Sequence, residues 1–277
     1  MNAVETGATI GGLLRECGLP RLEAELLLCS ILGRERVWLI AHAEEAIDSS
    51  NARSAHAWFA RRRAGEPVSY ITGRREFYGL TLRVTPEVMI PRPETELVVE
   101  LALERLPPGA AAGVLELGTG SGAIAIALAS ERPGLAIVAT DASEAALALA
   151  RRNAHEHGTE IDFVLGNWFG ALGSEQFDLI VSNPPYVAVG DAHLERGDLR
   201  FEPRLALVGG EDGLACIREI AARAPSWLRP NGWLLLEHGY DQGDRCVALL
   251  SALGYAEVAD FRDLAGQPRA CAGVWRG

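Results

Sequence analysis

Four consecutive residues, Asn183-Pro184-Pro185-Tyr186, have the side chains needed to hold a planar NH2 group. They follow the apolar run 177–181, so we expect them where a buried strand ends. A carboxamide oxygen and a main-chain carbonyl can accept both hydrogens of an amide or amino group, while the tyrosine ring packs on its plane. This clamp would aim the nitrogen lone pair at an electrophile. The alternative is a proline-rich turn with no chemical role.

A glycine-rich turn between the apolar segment 114–117 and a helix from Ala123 to Ser130 predicts a ligand-binding loop. Glycine lets the main chain turn tightly and lets a ligand approach with no Cβ in the way. The pattern also meets the loose dinucleotide fingerprint, so the loop alone leaves NAD, FAD and S-adenosylmethionine open. The turn consists of Gly118, Thr119, Gly120, Ser121 and Gly122.

The two strands predicted next, 136–140 and 161–165, each end in residues suited to an adenosine group. Asp141 follows the first of them and can accept hydrogen bonds from both ribose hydroxyls. It can instead cap the next helix. Asn167 and Trp168 follow the other strand, where amide and aromatic groups can bracket an adenine ring. The alternative for Trp168 is a place in the core.

From about residue 113 the chain alternates short apolar strands with amphipathic helices, which is typical of a mostly parallel sheet in an α/β fold. In an open sheet of this kind, ligands bind at the carboxyl ends of strands where the strand order reverses. The first and fourth strands should flank that crevice, and the glycine turn and the Asn-Pro-Pro-Tyr turn end these two strands. The expected strands are 114–117, 136–140, 161–165, 177–182, 232–237, 255–260 and 270–275.

The first part of the chain has a different pattern. Residues from about 6 to 65 predict a small helical bundle, with one apolar helix face formed by Leu22, Leu26 and Cys29 and with Leu27 and Ile31 beside it. Ser50 is predicted as the cap of a later helix. Residues 67–92 predict a β-hairpin connector. The expected domains are a helical bundle over 1–70, a hairpin linker over 71–92 and an α/β domain over 93–277.

Composition excludes several classes of protein. The 277 residues are 48% hydrophobic and carry a formal charge of −11, which suits a globular protein and disfavours a nucleic-acid backbone as main partner. All 26 basic residues are arginine, so a phosphate-loop lysine and a Schiff-base lysine are excluded. The five cysteines and six histidines show no metal-ligand spacing, and no metal is expected.

The sequence also predicts the cellular location of the protein and the role of its run of three arginines. The chain start lacks the basic region of a signal peptide and no apolar run is long enough for a membrane span, so we expect a cytoplasmic protein. Arg61-Arg62-Arg63 is expected at a solvated helix end, in preference to a nucleic-acid contact.

These residues together resemble the class I methyltransferases that modify amide or amino nitrogen. More narrowly, the chain resembles the PrmC/HemK release-factor glutamine methyltransferases over nearly its whole length. The runs that carry the narrower resemblance are Ile90-Pro91-Arg92-Pro93-Glu94-Thr95-Glu96, Arg200-Phe201-Glu202-Pro203 and Leu234-Leu235-Leu236-Glu237-His238-Gly239.

The resemblance implies a class I methyltransferase fold, Rossmann-like, with a mostly parallel seven-stranded sheet, a small helical N-terminal domain and a hairpin connector. It implies that S-adenosylmethionine is the cofactor and that the glutamine of the Gly-Gly-Gln motif in class 1 peptide chain release factors is methylated. No nucleic acid or membrane partner and a monomeric chain are expected. The implied contacts to cofactor and glutamine are Gly118 to Gly122, Asp141, Trp168 and Asn183, with Pro184, Pro185 and Tyr186 completing the clamp.

Several details and rivals stay open. Asn167 stands where members of the family often carry an acidic residue, and Glu94 and Glu96 could either shape the pocket or begin a helix at about 94. The rival functions are methylation of a ribosomal protein glutamine or of an exocyclic amine in DNA or RNA. An oxidoreductase fits the glycine turn only, and a non-catalytic binding module leaves the clamp unexplained.

Overall fold

The structure is a computed structural model that describes residues 8–106, 109 and 111–277. It contains two compact units, of which the first reaches to Arg74 and includes the distant segment Arg196–Phe201. The second comprises Arg75–Glu195 and Glu202–Gly277. The described residues do not include residues 6 and 7, where the helical bundle was expected to begin. They also do not include the chain start from which the absence of a signal peptide was predicted.

The described part of the first unit is helical, as the sequence predicts. Its core is built from leucine and phenylalanine side chains that are at most 1% exposed, among them Leu27, Leu28, Leu39 and Phe59. The helices are α1 (Ile10–Glu16), α2 (Arg21–Leu32), α3 (Arg36–Ala41), α4 (Ser49–Arg63) and α5 (Val68–Thr72).

The buried face of α2 differs from the predicted one. Leu22 and Leu26 are 52% and 42% exposed, whereas Ala24, Leu27 and Leu28 are fully buried. Eight of the twelve residues of α2 are apolar and they are distributed around the helix, so the sequence period cannot select a buried face and packing against the other helices decides it. The predicted face is therefore wrong for Leu22 and Leu26, whereas Cys29 and the neighbouring Leu27 and Ile31 pack in the core.

The two ends of α4 are fixed by polar contacts. Asp48, and not Ser50, is the cap, because its carboxylate accepts hydrogen bonds from the backbone N–H groups of Ser50 and Asn51, both at 2.9 Å. At the other end, Arg62 donates to both carboxylate oxygens of Glu23, at 2.7 and 2.9 Å, and Arg63 donates to the carbonyl of Cys17. These arginines hold the unit together.

The predicted hairpin is formed by β1 (Arg74–Phe77) and β2 (Leu80–Arg83), and the second unit starts within β1, at Arg75. The start of the range 67–92 predicted for this connector is helical, because α5 occupies it. A 3-10 turn at Pro93–Thr95 leads into α6 (Glu96–Arg105). The sheet that follows is built with β3 (Gly113–Leu117), α7 (Ala123–Glu131), β4 (Ala136–Asp141), α8 (Glu144–His157), β5 (Asp162–Leu165) and β6 (Phe177–Ser182). The rest is α9 (Arg204–Leu207), α10 (Ala215–Arg223), β7 (Leu228–Glu237), α11 (Gly243–Ala252), β8 (Ala256–Arg262) and β9 (Pro268–Trp275).

The seven strands of the large sheet have the order β5-β4-β3-β6-β7-β9-β8. The first five are parallel, and β9 is antiparallel to both β7 and β8. The strand order reverses between β3 and β6, the two strands predicted to flank the crevice. The predicted fold class is confirmed; the strand 177–182 has the predicted bounds, and each of the other six differs at one or both ends by one to four residues.

Apolar clusters lie on both faces of this sheet. One contains Val114 and Leu179 together with α6 and α7, and the other contains Leu115 and Ile180 together with α10 and α11. Alternate residues of β3 and β6 thus point to opposite layers, as the two-residue period of a strand requires. No helix within the described ranges is both long and apolar enough to cross a bilayer.

Candidate active site

The carboxyl ends of β3 and β6 lie side by side and form the floor of one cavity. Leu117 and Ser182 are paired in register, and the Ser182 hydroxyl donates to the Leu117 carbonyl at 2.7 Å. The residues that follow, Gly118 and Asn183, both line a cavity of about 400 Å³. The two motifs that the sequence analysis singled out therefore face a common space.

The glycine turn is held in place by the strand beside it. The N–H groups of Gly118 and Thr119 both donate to the Thr140 carbonyl, at 2.8 and 2.9 Å. Gly118, Gly120 and Gly122 have φ values of 71°, 56° and 85°, in the left-handed region that favours glycine. An added Cβ at Gly120 would meet nothing within 4 Å. The turn therefore leaves open space for a ligand against its backbone.

Asp141 joins the glycine turn to the start of α8. Its Oδ2 accepts from the Gly120 N–H and its Oδ1 accepts from the Ser143 N–H, both at 2.8 Å. Burial raises the pKa of Asp141, and these backbone bonds oppose that change. The cap of α8 is Ser143, whose hydroxyl accepts from the Ala146 N–H at 3.2 Å, so Asp141 holds the turn that leads into the helix and does not cap it. Each oxygen of Asp141 keeps a lone pair and can still accept hydrogen bonds from a ligand.

Glu116 is a buried acid beneath the glycine turn, a site residue that the sequence argument did not place. It is 2% exposed, and its Oε2 accepts from the Thr119 hydroxyl at 2.6 Å and from the Ala125 N–H at 3.1 Å. Burial raises the pKa of Glu116 to about 8 against these hydrogen bonds, and nearby Asp141 raises it further.

The cavity is acidic. Four carboxyl groups line it, and the described residues of its wall include no arginine or histidine. A pyrophosphate placed here would face only like charges or neutral groups, whereas a cationic ligand would be attracted. The electrostatics favour a positively charged cofactor over a dinucleotide. The four acids are Glu87, Glu116, Asp141 and Glu219.

Asn167 and Trp168 form the wall beyond β5. Trp168 has a φ of 49°, an uncommon conformation for a bulky residue, and its carbonyl accepts from the Thr140 hydroxyl at 3.3 Å. An added Cβ at Gly118 would lie 3.4 Å from the Trp168 ring, so the indole lies over the glycine turn. The ring both packs on the core beneath and contributes to the wall.

The Asn-Pro-Pro-Tyr turn contributes two of its four residues to the cavity wall. Asn183 and Pro185 line it, while Pro184 and Tyr186 are not among the lining residues. Asn183 Nδ2 donates to the hydroxyl of Thr95 at 3.1 Å, and the Tyr186 hydroxyl donates to Glu237 Oε1 at 3.0 Å. Burial and the Glu237 carboxyl raise the pKa of Tyr186 well above its ordinary value. The turn is thus anchored by side chains from two other segments.

The backbone of the turn is anchored by residues that no local pattern marks. An added Cβ at Gly209 would lie 2.3 Å from the Pro185 carbonyl oxygen, so only glycine fits there. Gln242 Nε2 donates to the Tyr186 carbonyl at 3.0 Å, while Gln242 Oε1 accepts from the Gly239 N–H at 2.9 Å. These contacts fix the carbonyl directions of the turn.

The segment 90–96 enters the site through Pro91 and Thr95. Thr95 is 3% exposed and lines the cavity, whereas Glu94 and Glu96 do not. Glu96 begins α6 and its Oε1 accepts from the Tyr78 N–H at 2.9 Å, which ties the hairpin to the helix. Arg92 makes an ion pair with the buried Glu202. The helix begins at Glu96, so the start predicted at about 94 is displaced by the 3-10 turn.

His238, Cys246 and Cys271 are buried together, with candidate ligand atoms within 4.8 Å of one another. The cluster joins distant parts of the sequence. His238 Nδ1 lies 2.8 Å from the Gly239 carbonyl and Nε2 lies 2.8 Å from Asp260 Oδ1. Both nitrogens are directed at these oxygens and neither is available to a metal ion.

The sheet order and the cavity at its switch point are those of a class I methyltransferase, and the comparisons with known proteins agree. Residues 94–197 match the methyltransferase small domain and residues 10–73 match the PrmC N-terminal domain. A solved methyltransferase from Pyrococcus furiosus is similar in fold, with a TM-score of 0.54, 21% identity, and coverage of 82% of this chain and 98% of that one.

Curated relatives define the family more closely. A release factor glutamine methyltransferase from Bordetella pertussis is 50% identical over 94% of this chain and 97% of the relative. One from Pseudomonas aeruginosa is 48% identical over 96% of this chain and 99% of the relative. The chain belongs to the family of release factor glutamine methyltransferases.

Proposed function

We propose that this protein transfers the methyl group of S-adenosylmethionine to the side-chain nitrogen (N5) of the glutamine in the Gly-Gly-Gln motif of class 1 peptide chain release factors. The observation that carries the proposal is the shared cavity, in which the glycine turn and Asp141 face Asn183 across the ends of β3 and β6. Family membership supports the substrate, since relatives that share about half of the residues are release factor glutamine methyltransferases.

The cavity fits S-adenosylmethionine in shape and charge. The open space at Gly120 accommodates a ligand against the backbone, Asp141 has lone pairs for ribose hydroxyls, and Trp168 offers a ring face for adenine. The acidic wall suits a ligand with a sulfonium and an ammonium group. When bound, the cofactor supplies an electrophilic methyl group on sulfur. Glu116 would hold the cationic part beneath the glycine turn, where a nearby positive charge favours its ionised form.

The protein's task at the acceptor nitrogen is orientation. A glutamine amide is a poor nucleophile because its lone pair is delocalised into the carbonyl. Asn183 Oδ1 and the Pro184 carbonyl are the proposed acceptors for the two amide hydrogens, and Tyr186 is proposed to pack beside the amide plane. Holding both hydrogens turns the lone pair toward the methyl carbon and disperses the positive charge that grows on nitrogen.

No dedicated base is needed for the proton. Once nitrogen carries the methyl group, its N–H becomes acidic, and the proton can leave to water. Asn183 and the Pro184 carbonyl bind the hydrogens without removing them, so their role is to position and to stabilise charge. The balance is one N–C bond formed, one C–S bond broken and one proton released.

The helical unit is proposed to recognise the release factor. Large apolar side chains on its surface support this role, because Leu22, Leu26, Val37 and Ile40 are between 42% and 74% exposed. They belong to α2 and α3, which are joined by an ion pair between Glu25 and Arg36 at 2.7 Å. The acidic cavity also disfavours the phosphates of a nucleic-acid substrate.

The test is methyl incorporation from labelled S-adenosylmethionine into a purified class 1 release factor, with peptide mapping of the product. We expect one methyl group on the glutamine of Gly-Gly-Gln, and none when that glutamine is replaced by alanine. Ribosomal protein and DNA or RNA oligonucleotides serve as competing substrates in the same assay. Faster methylation of either competitor would overturn the release-factor assignment.

A further inference from the structure

Helix α10 forms a part of the cavity wall for which no sequence pattern gave a signal. Cys216 and Glu219, three positions apart on one face of this helix, both line the cavity. The helix starts beside the Asn-Pro-Pro-Tyr turn, because the Ala215 N–H donates to the Gly209 carbonyl at 2.8 Å and a Cβ added at Gly209 would lie 2.3 Å from the Pro185 carbonyl oxygen. The first turn of α10 is therefore fixed next to the clamp.

The last turn of α10 reaches the wall beyond β5. Arg223 Nη1 donates to Glu219 Oε1 at 2.9 Å, and the Arg223 guanidinium lies over the Phe169 ring, 5.4 Å from its centroid. Phe169 is 1% exposed and follows Trp168 directly, so this arginine ties α10 to the segment 167–169. Glu219 is thus held at this end of the cavity.

The polar groups at this end of the cavity differ in how they can bind a purine ring. The amide of Asn167 can turn either its NH2 group or its oxygen toward a ligand, so it serves donors and acceptors equally. The indole of Trp168 can only donate, and the thiol of Cys216 is weak in both roles. A carboxylate accepts only, and Glu219 is the one charged side chain that the described residues 166–168 and α10 contribute to this wall. Glu219 can therefore distinguish a base with an exocyclic amino group from a base without one.

We propose that Glu219 selects the base of the cofactor by accepting a hydrogen bond from the 6-amino group of adenine, at the end of the cavity formed by α10 and the segment 166–168. The inference rests on the proposed function, because it takes adenine to lie at Trp168. Arg223 sets the direction of the carboxylate by binding Oε1, and Oε2 is the oxygen assigned to the base. The Glu219 side chain is 42% exposed, so water competes for it and the expected effect is moderate.

The first test measures the binding of two ligands to the full-length protein by calorimetry, with no release factor present. One ligand is S-adenosylhomocysteine, and the other is its analogue with purine in place of adenine, which lacks only the 6-amino group. We expect the wild type to bind the adenine form about tenfold more tightly. Glu219→Met removes the acceptor and keeps the length of the side chain, so this preference should fall to less than about twofold. Glu219→Gln keeps an acceptor oxygen and should retain most of the preference.

Glu87→Gln is the matched control, because Glu87 also lines the cavity and its replacement removes the same charge. This variant should change both affinities by the same factor and leave the preference for adenine intact, since a general effect of charge does not depend on the 6-amino group. A preference that persists in Glu219→Met, or that is lost equally in Glu87→Gln, would overturn the inference.

A second readout tests the placement of the base without any variant. Cys216 and Cys29 are both half-buried free thiols, but Cys216 lines the cavity whereas Cys29 belongs to α2 of the helical unit. S-adenosylhomocysteine at about ten times its Kd should slow the modification of Cys216 by iodoacetamide by about tenfold. The rate at Cys29, measured in the same sample by mass spectrometry of peptides, should not change. Equal rates at Cys216 with and without the ligand would rule out a base against α10.

The inference and the proposed function can fail separately. Methylation of a release factor by the wild type, together with an unchanged preference for adenine in Glu219→Met, would reject the inference and leave the function. A preference for adenine that depends on Glu219, without methylation of a release factor, would reject the function and leave the inference.

Discussion

Ser182 donates a hydrogen bond to the carbonyl of Leu117 at 2.7 Å, which joins the last residues of β6 and β3. The bond lies immediately before Asn183 and Gly118, so the clamp and the glycine turn start from a common fixed point. Because both strands are buried in the centre of the sheet, the distance between the two motifs is set by backbone pairing and does not depend on loop conformation.

Replacing Asn183 by alanine should lower turnover and spare cofactor binding. The amide is proposed to hold a substrate hydrogen only while nitrogen is attacking, so its loss should reduce kcat by about a hundredfold or more. Turnover with a purified release factor and calorimetry with the cofactor check the two halves. A kcat within about threefold of wild type would remove Asn183 from the clamp.

Replacing Asp141 by alanine should weaken cofactor binding, which the Asn183 replacement is expected to spare. Its carboxylate organises the glycine turn through Gly120 and Ser143 and is proposed to accept ribose hydroxyls. We expect cofactor affinity to fall by about tenfold to a hundredfold, as for a lost charged hydrogen bond. Asp178→Ala, at the other end of β6, is the control and should bind the cofactor normally. Unchanged calorimetric affinity in Asp141→Ala would contradict the role.

Gly209→Ala tests the support behind the clamp. The new Cβ would lie 2.3 Å from the Pro185 carbonyl oxygen and 2.7 Å from the Gly213 carbonyl oxygen, both backbone atoms. The turn must move, and we expect a loss of about 1–3 kcal/mol in the free energy of unfolding together with reduced turnover. Gly134→Ala, where the new Cβ meets nothing within 4 Å, is the control. Equal urea midpoints for the two variants would show that the close approach of Gly209 to the Pro185 carbonyl does not limit stability.

Glu116 should make stability depend on pH. Burial raises its pKa from 4.5 to about 8, so the folded protein binds this proton more tightly than the unfolded chain. Its contribution to stability is therefore complete below the unfolded pKa and is lost as pH rises through about 8. Glutamine mimics the protonated acid, so Glu116→Gln should lose less stability than wild type between pH 5 and pH 8, about the range set by the two pKa values. The free energy of unfolding of both proteins is measured by urea at each pH, without cofactor. An identical dependence of this free energy on pH in the two proteins would refute the prediction.

The exposed apolar residues of α3 should matter for a protein substrate only. Val37 and Ile40 are 74% and 61% exposed, and their replacement by serine removes apolar contact area without disturbing the core of the helical unit. We expect Val37→Ser with Ile40→Ser to raise KM for the intact release factor by about tenfold while leaving methylation of a short Gly-Gly-Gln peptide unchanged. An equal effect on both substrates would indicate damage to folding, and no effect on either would exclude this surface.

The fold and the placement of the two motifs could be predicted because they depend on local patterns. The alternation of strands and helices identified a parallel sheet, and the rule for its switch point brought Gly118 and Asn183 together. By contrast, Thr95 and Glu237 meet the clamp from positions about 90 and 50 residues away, and short-range spacing carries no signal for such contacts. Thr95 lies within the run 90–96 that carries the family resemblance, but the sequence analysis considered a site role only for the neighbouring acids Glu94 and Glu96.

Which residues of α2 are buried depends on tertiary packing and could not be predicted from the sequence period. In α2 the apolar residues surround the helix, so the choice of Ala24 and Leu28 over Leu22 and Leu26 as buried residues came from the neighbouring helices. The same holds for Gly209, whose importance comes from a carbonyl oxygen of a distant turn. The buried acid Glu116 could have been found from the sequence, because a charged residue in an apolar strand indicates either pairing or function.

The segment Arg196–Phe201 belongs to the helical unit although it is encoded long after the helices, and Asp198 pairs with Arg62 across 136 positions. During synthesis on a ribosome, the five helices would leave the exit tunnel first. The segment Arg196–Phe201 would follow only after β6 had left the tunnel. The helical unit can reach its final form only after much of the methyltransferase unit has been translated. A fragment ending at residue 74 should consequently be less stable than the same unit in the full chain.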